Sequence, residues 1–116
     1  VDVGASAIMV SNHGGRQLDG SRSPFDQLSE IVDAVGDKVD VICDGGIRRG
    51  THVLKALSVG AKACSGGRMY LYALAASGEK GVEKAMGLMQ DEIQRGMKLM
   101  GAKTVNDLSR ENIRFR

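Results

Sequence analysis

A histidine and an arginine three residues apart, in the run Ser11-Asn12-His13-Gly14-Gly15-Arg16-Gln17-Leu18-Asp19, are the residues of this chain best suited to chemistry. An imidazole can remove a proton near neutral pH. A guanidinium can grip a carboxylate through two parallel hydrogen bonds. Together they suit a 2-hydroxy acid. A histidine in a loop is more often structural, but the neighbouring Arg16 and the apolar run just before the loop favour the chemical reading.

A second set of residues could hold an anion. Asp44-Gly45-Gly46-Ile47-Arg48-Arg49-Gly50 and Gly66-Gly67-Arg68 each join a glycine pair to an arginine. Glycine lets backbone N–H groups come close to a ligand, and arginine clamps a phosphate. Spacing alone fits equally well a pair of tight turns with solvated arginines. Asp44 would repel a phosphate, so a hydroxyl is its better partner.

The elements that must carry these loops are legible in the pattern around them. Three short apolar runs, Ala7 to Val10, Val39 to Cys43 and Ala61 to Cys64, each lead into a glycine pair. Short apolar runs that alternate with helical patterns predict strand–helix units and a parallel sheet, with reactive residues at the strands' C-terminal ends. Phe25, Leu28, Ile31, Val32 and Val35 share one face of a predicted helix, with Ser23 as N-cap and Pro24 at its first position. A second helix is expected from Thr51 to Val59, with Val53, Leu54 and Leu57 inward and Gly60 as its stop. A third is expected from Met69 to Ala76. A longer one starts near Val82 and carries the stripe Met86, Met89, Ile93, Met97 and Met100, read as a buried face. It ends at Gly101-Ala102, and the tail from Lys103 to Arg116 has room for a short helical turn.

Composition narrows the function classes. Sixteen basic against 14 acidic residues, spread along the chain, and 3% aromatics give nucleic acid no charged stripe or stacking platform. There is no apolar run long enough to cross a bilayer and no leader pattern at the N-terminus. Cys43 and Cys64 lack redox spacing and read as packing residues. His52, with no second ligand at metal spacing, reads as a surface residue, so no metal is expected. A barrel of eight strand–helix units takes about 250 residues, so 116 residues beginning at Val1 are expected to be part of a longer chain.

From Ser11 to Asp19, then Asp44 to Gly50, then Leu54-Lys55-Ala56-Leu57 and Gly60-Ala61, the sequence resembles the FMN-dependent 2-hydroxy-acid oxidase and dehydrogenase family. The likeness runs over essentially the whole chain. Tyr70 to Gly78 and Met97 to Gly101 are most like the bacterial L-lactate dehydrogenases of that family. Glycine pairs beside a phosphate-binding arginine occur in other barrels, but the loop from His13 to Asp19 sets this family apart. The resemblance implies an α/β fold, the C-terminal part of a (β/α)8 TIM barrel with its last three strand–helix units and the C-terminal helices. It implies one partial domain over residues 1–116.

It also implies FMN as cofactor and oxidation of an L-2-hydroxy acid, L-lactate to pyruvate above all, in the complete enzyme. The fragment alone is expected to be inactive. His13 would then be the base, Arg16 the substrate anchor and Ser11 a flavin contact. Asp44, Gly45, Gly46, Ile47, Arg48, Gly67 and Arg68 would bind the ribityl and phosphate portion of FMN. The implied electron acceptor is the respiratory chain or oxygen, the full-length state a homo-oligomer, and the place the cytoplasm or the inner face of the plasma membrane. The other reading of the same loops is a non-catalytic barrel segment or a phosphate or mononucleotide-binding module.

Overall fold

The computed structural model describes residues 1–115; Arg116, the last residue of the expected domain and tail, lies outside the described residues. Strands β1 (Ala7–Ser11), β2 (Asp40–Asp44) and β3 (Ala63–Ser65) form a parallel sheet in the order β1-β2-β3. Helices α1 (Pro24–Val35), α2 (Gly50–Val59) and α3 (Arg68–Met100) follow the three strands in turn. This is three consecutive strand–helix units of a partial barrel.

Alternation along the strands decides which face the helices cover. Val10, Val41 and Cys43 are buried and join Leu28 of α1, Ala56 and Val59 of α2 and Met89 of α3 in one core. Met9, one residue out of phase, is 54% exposed, and among the described residues no helix covers that face of the sheet. Burial pushes the Cys43 thiol up and the Cys64 thiol up to about 12, with each other's proximity a smaller cause for Cys64. Both are free thiols whose surroundings favour the neutral form, in keeping with packing residues.

The helix starts follow local chemistry. Ser23 Oγ accepts the Asp26 N–H at 3.2 Å and Pro24 takes the first position of α1, as the sequence predicts. Helix α2 begins one residue earlier than expected, at Gly50, and its N-cap Arg49 supplies no side-chain cap. Glu92 of α3 caps it instead: its carboxylate accepts the Gly50 N–H at 2.7 Å and the Arg49 Nε–H at 2.8 Å. A Cβ on Gly50 would stand 2.5 Å from Glu92 Cβ, so only glycine admits this approach.

The Arg49 guanidinium, helped by the Gly50 N–H, holds the Glu92 carboxyl below its ordinary 4.5. A lowered native pKa stabilises the fold above about pH 4.5 and loses that stabilisation as pH falls through the lowered value. Glu92→Gln in the full-length protein should therefore lower Tm at neutral pH. The gap to the parent should close as the pH drops below 4.5, followed by circular dichroism; a gap independent of pH would show that the charge is not the cause.

The structure corrects several expectations of detail. Strand β3 lies two residues later at its start than the apolar run suggests, because Ala61 is spent on the core ahead of the strand. The two helices expected after Arg68 are the two arms of α3, which break at Ser77 (φ −154°) and Gly78 (φ 59°, ψ −143°), directly after the expected end at Ala76; only the second arm differs, taking up before Val82. The methionine stripe is buried only at its centre: Met89 is 8% exposed, whereas Met86 and Met100 face solvent. The tail holds two 3-10 turns, Val105–Asp107 and Arg110–Asn112. The second brings Arg110 onto the Val59 carbonyl and Asp33, fastening the tail to α2 and α1. Among the described residues no helix is long and apolar enough to cross a membrane.

Candidate functional site

Parallel register brings the strand ends level: Ser11 pairs with Asp44, and Asp44 with Ser65. All three loops that follow therefore open at one end of the sheet, where a strand–helix fold gathers its reactive groups.

The first loop is built by its own short side chains. Ser11 Oγ donates to Asp44 Oδ2 at 2.6 Å and accepts the His13 N–H at 2.9 Å. Asn12 Oδ1 accepts the Gly14 N–H at 3.1 Å. These bonds turn the chain sharply into the 3-10 turn His13–Gly15 and hold His13 at φ 52°, the one non-glycine residue with positive φ among the described residues. A left-handed histidine is uncommon and persists only when its surroundings impose it. Arg16 ends the turn, its N–H directed at the His13 carbonyl at 3.4 Å. His13 and Arg16 are both exposed on the same short loop.

The second loop runs past Gly45 (φ 127°) and Gly46 (φ 73°), both in the region that favours glycine. A Cβ on Gly45 would lie 2.7 Å from Pro24 Cγ and 3.2 Å from Asn12 Oδ1, so this glycine lets the first two loops touch. A Cβ on Gly46 would meet open space. The Ile47 side chain turns into the core, 8% exposed, which leaves its backbone as the part that could serve a ligand. His52, expected on the surface, is half-buried with Nδ1 3.0 Å from the Gly46 carbonyl and 3.3 Å from the Arg48 N–H.

The third loop delivers Gly67 and Arg68 at the start of α3. Gly67 gives the helix no side-chain cap, so the first-turn N–H groups keep their capacity for an anion. Gly46, Ile47, Arg48, Gly67, Arg68, Met69 and Tyr72 line a cleft of about 210 Å³. Beside it a larger cleft of about 460 Å³ lies between the first two loops and also reaches Arg68. Arg68 Nη2 donates to the Gly14 carbonyl at 3.2 Å, so the arginine of the third loop also steadies the histidine loop.

The sequence-derived residues thus gather at one end of the sheet. Asn12, His52 and Glu92 join them unforeseen. Asn12 carried a signal in the sequence, since an asparagine before a glycine pair readily caps its own turn. His52 carried one too: the third residue of a helix can reach back over the turn before it.

Residues 1–115 match the family described as FMN-dependent dehydrogenase. The chain is 50% identical over 108 residues to an L-lactate oxidase of Nostoc sp., covering 93% of this chain and 30% of that protein. It is 47% identical over 113 residues to the pre-mycofactocin synthase of Mycolicibacterium smegmatis, covering 97% of this chain and 28% of that protein. The flavin-binding domain of baker's yeast flavocytochrome b2 superposes with a TM-score of 0.89 at 46% identity, over 95% of this chain and 29% of that one. The chain therefore spans about 30% of the length of the relatives it matches.

Proposed function

Since the chain belongs to the FMN-dependent dehydrogenase family, we propose that it supplies the last three strand–helix units of a (β/α)8 barrel that oxidises an L-2-hydroxy acid, L-lactate to pyruvate. The observation that carries this reading is the loop from Ser11 to Arg16. It presents a histidine and an arginine together at the strand ends, and Arg68, bonded to the Gly14 carbonyl, also lines the cleft of about 210 Å³.

The residues present fit the phosphate end of FMN. Arg48 and Arg68 bring two cations to the smaller cleft, the uncapped start of α3 adds backbone donors, and a Cβ on Gly67 or Gly46 would stand in open space. Arg48, Gly67, Arg68 and the Gly45–Gly46 backbone would hold the phosphate. Asp44, level with Ser11, is placed for a ribityl hydroxyl, and Ser11 for the flavin itself. When bound, FMN accepts the two electrons that leave the substrate.

Arg16 binds the substrate carboxylate through two parallel hydrogen bonds. His13 takes a proton from the substrate as the electrons depart. The second proton of the two-electron oxidation leaves with them. We place this activity in the complete protein, since the three strands alone leave one sheet face uncovered. Relatives named as an oxidase and as a cytochrome-linked L-lactate dehydrogenase frame the acceptor as oxygen or a respiratory carrier. We place the full-length enzyme, as a homo-oligomer, in the cytoplasm or on the inner face of the plasma membrane.

Anaerobic addition of L-lactate to the full-length protein should bleach its flavin, and D-lactate should not. Arg16→Lys should raise the L-lactate concentration for half-maximal reduction, because lysine keeps the charge and loses the two-toothed match. If no L-2-hydroxy acid bleaches the flavin, the substrate reading fails. If the lactate dependence of Arg16→Lys is unaltered, Arg16 is not the anchor.

A further inference from the structure

His52 stands outside the residues read as binding or catalytic, yet its ring is the one side chain among the described residues hydrogen-bonded to the turn from Gly46 to Arg48. It occupies the third position of α2, directly after that turn, and its own N–H is bonded to the Arg49 carbonyl at 3.0 Å. From there Nδ1 meets an acceptor, the Gly46 carbonyl at 3.0 Å, and a donor, the Arg48 N–H at 3.3 Å. One ring nitrogen serves one of these at a time: protonated it donates to Gly46, and bare it accepts from Arg48. Either bond closes the turn from the helix side. The opposite side of the turn, where a Cβ on Gly46 would meet nothing, stays open.

We propose that His52 is a positioning residue that holds the Gly46–Arg48 turn in the shape that receives the phosphate of FMN, and so sets affinity for that end of the cofactor. The inference rests on the reading of this turn as a phosphate loop. Left-handed Gly46 has several conformations within reach, and without a brace the turn must be ordered by the ligand itself. His52 removes that burden before the ligand arrives.

The test compares FMN with riboflavin, which lacks the phosphate, by fluorescence quenching on flavin-stripped full-length protein. His52→Ala should weaken FMN binding roughly tenfold, the size of one lost hydrogen bond, and leave riboflavin binding unchanged. His52→Asn, whose amide sits where Nδ1 sits, should restore FMN affinity to within about threefold. His52→Gln, whose amide reaches the place of Nε2 instead, should not. The Asn and Gln pair decides the matter even if the alanine variant folds poorly. Equal losses for FMN and riboflavin, or equal behaviour of Asn and Gln, would overturn the proposal and leave His52 a helix-start residue only. Arg68→Ala run alongside separates the two levels of the argument. If it lowers FMN affinity while His52→Ala does not, the His52 role alone falls; if neither distinguishes FMN from riboflavin, the phosphate loop falls with it.

Discussion

His13→Gln in the full-length protein is expected to slow flavin reduction at saturating L-lactate by at least about 100-fold, the usual loss when a general base is removed, with FMN still bound. The two effects should separate because the loop is held by backbone and neighbours and not by the imidazole. The His13 N–H rests on Ser11 Oγ, Asn12 closes onto Gly14, and Arg68 grips the Gly14 carbonyl. Removing the ring leaves all three bonds in place. His13→Asn makes a useful companion, since asparagine tolerates the left-handed region better than glutamine. Anaerobic stopped-flow reduction across a range of L-lactate concentrations gives the limiting rate. A near-normal limiting rate in both variants would remove His13 from the mechanism.

Arg68→Ala should release the cofactor. A charge-assisted bond to phosphate is worth about 1.5–3 kcal/mol, so FMN affinity should fall roughly 10- to 150-fold and apoprotein should accumulate. Arg68 is shared between two jobs, as it lines the small cleft and donates to the Gly14 carbonyl at 3.2 Å. The variant should therefore also turn over more slowly when excess FMN restores occupancy, because the histidine loop has lost a tether. Unchanged flavin content after gel filtration would count decisively against Arg68 as the phosphate clamp.

Local signals are legible in the sequence where the physics is local. Ser23 and Pro24 start α1 because a hydroxyl cap and a fixed φ act within one turn, and the first two glycine pairs mark the loops after their strands because their backbone takes the left-handed region that favours glycine. Glu92 was out of reach for the same reason. It caps a helix whose first N–H lies 42 residues earlier in the chain, and nothing near Gly50 announces a donor without a cap. The end of the first arm of α3 at Ala76 is legible, but the start of the second is not, because Glu79, Lys80 and Gly81 offer no apolar residue to mark it. In the site, residue types pointed to His13, Arg16 and the glycine–arginine turns. The absence of metal partners at ligand spacing around His52 carries no information about its bond to the Gly46 carbonyl, which depends on how the turn folds back over the helix start.

The left-handed backbone at His13 sets stability and chemistry against each other at a single residue. A side chain held at φ 52° costs the folded state about 1–2 kcal/mol that glycine would not. Selection that rewards heat tolerance alone is expected to favour glycine at this position and so to discard the base proposed above. Under the proposed mechanism, retention of an imidazole there would sort variants of this barrel that remain enzymes from those that survive only as scaffolds.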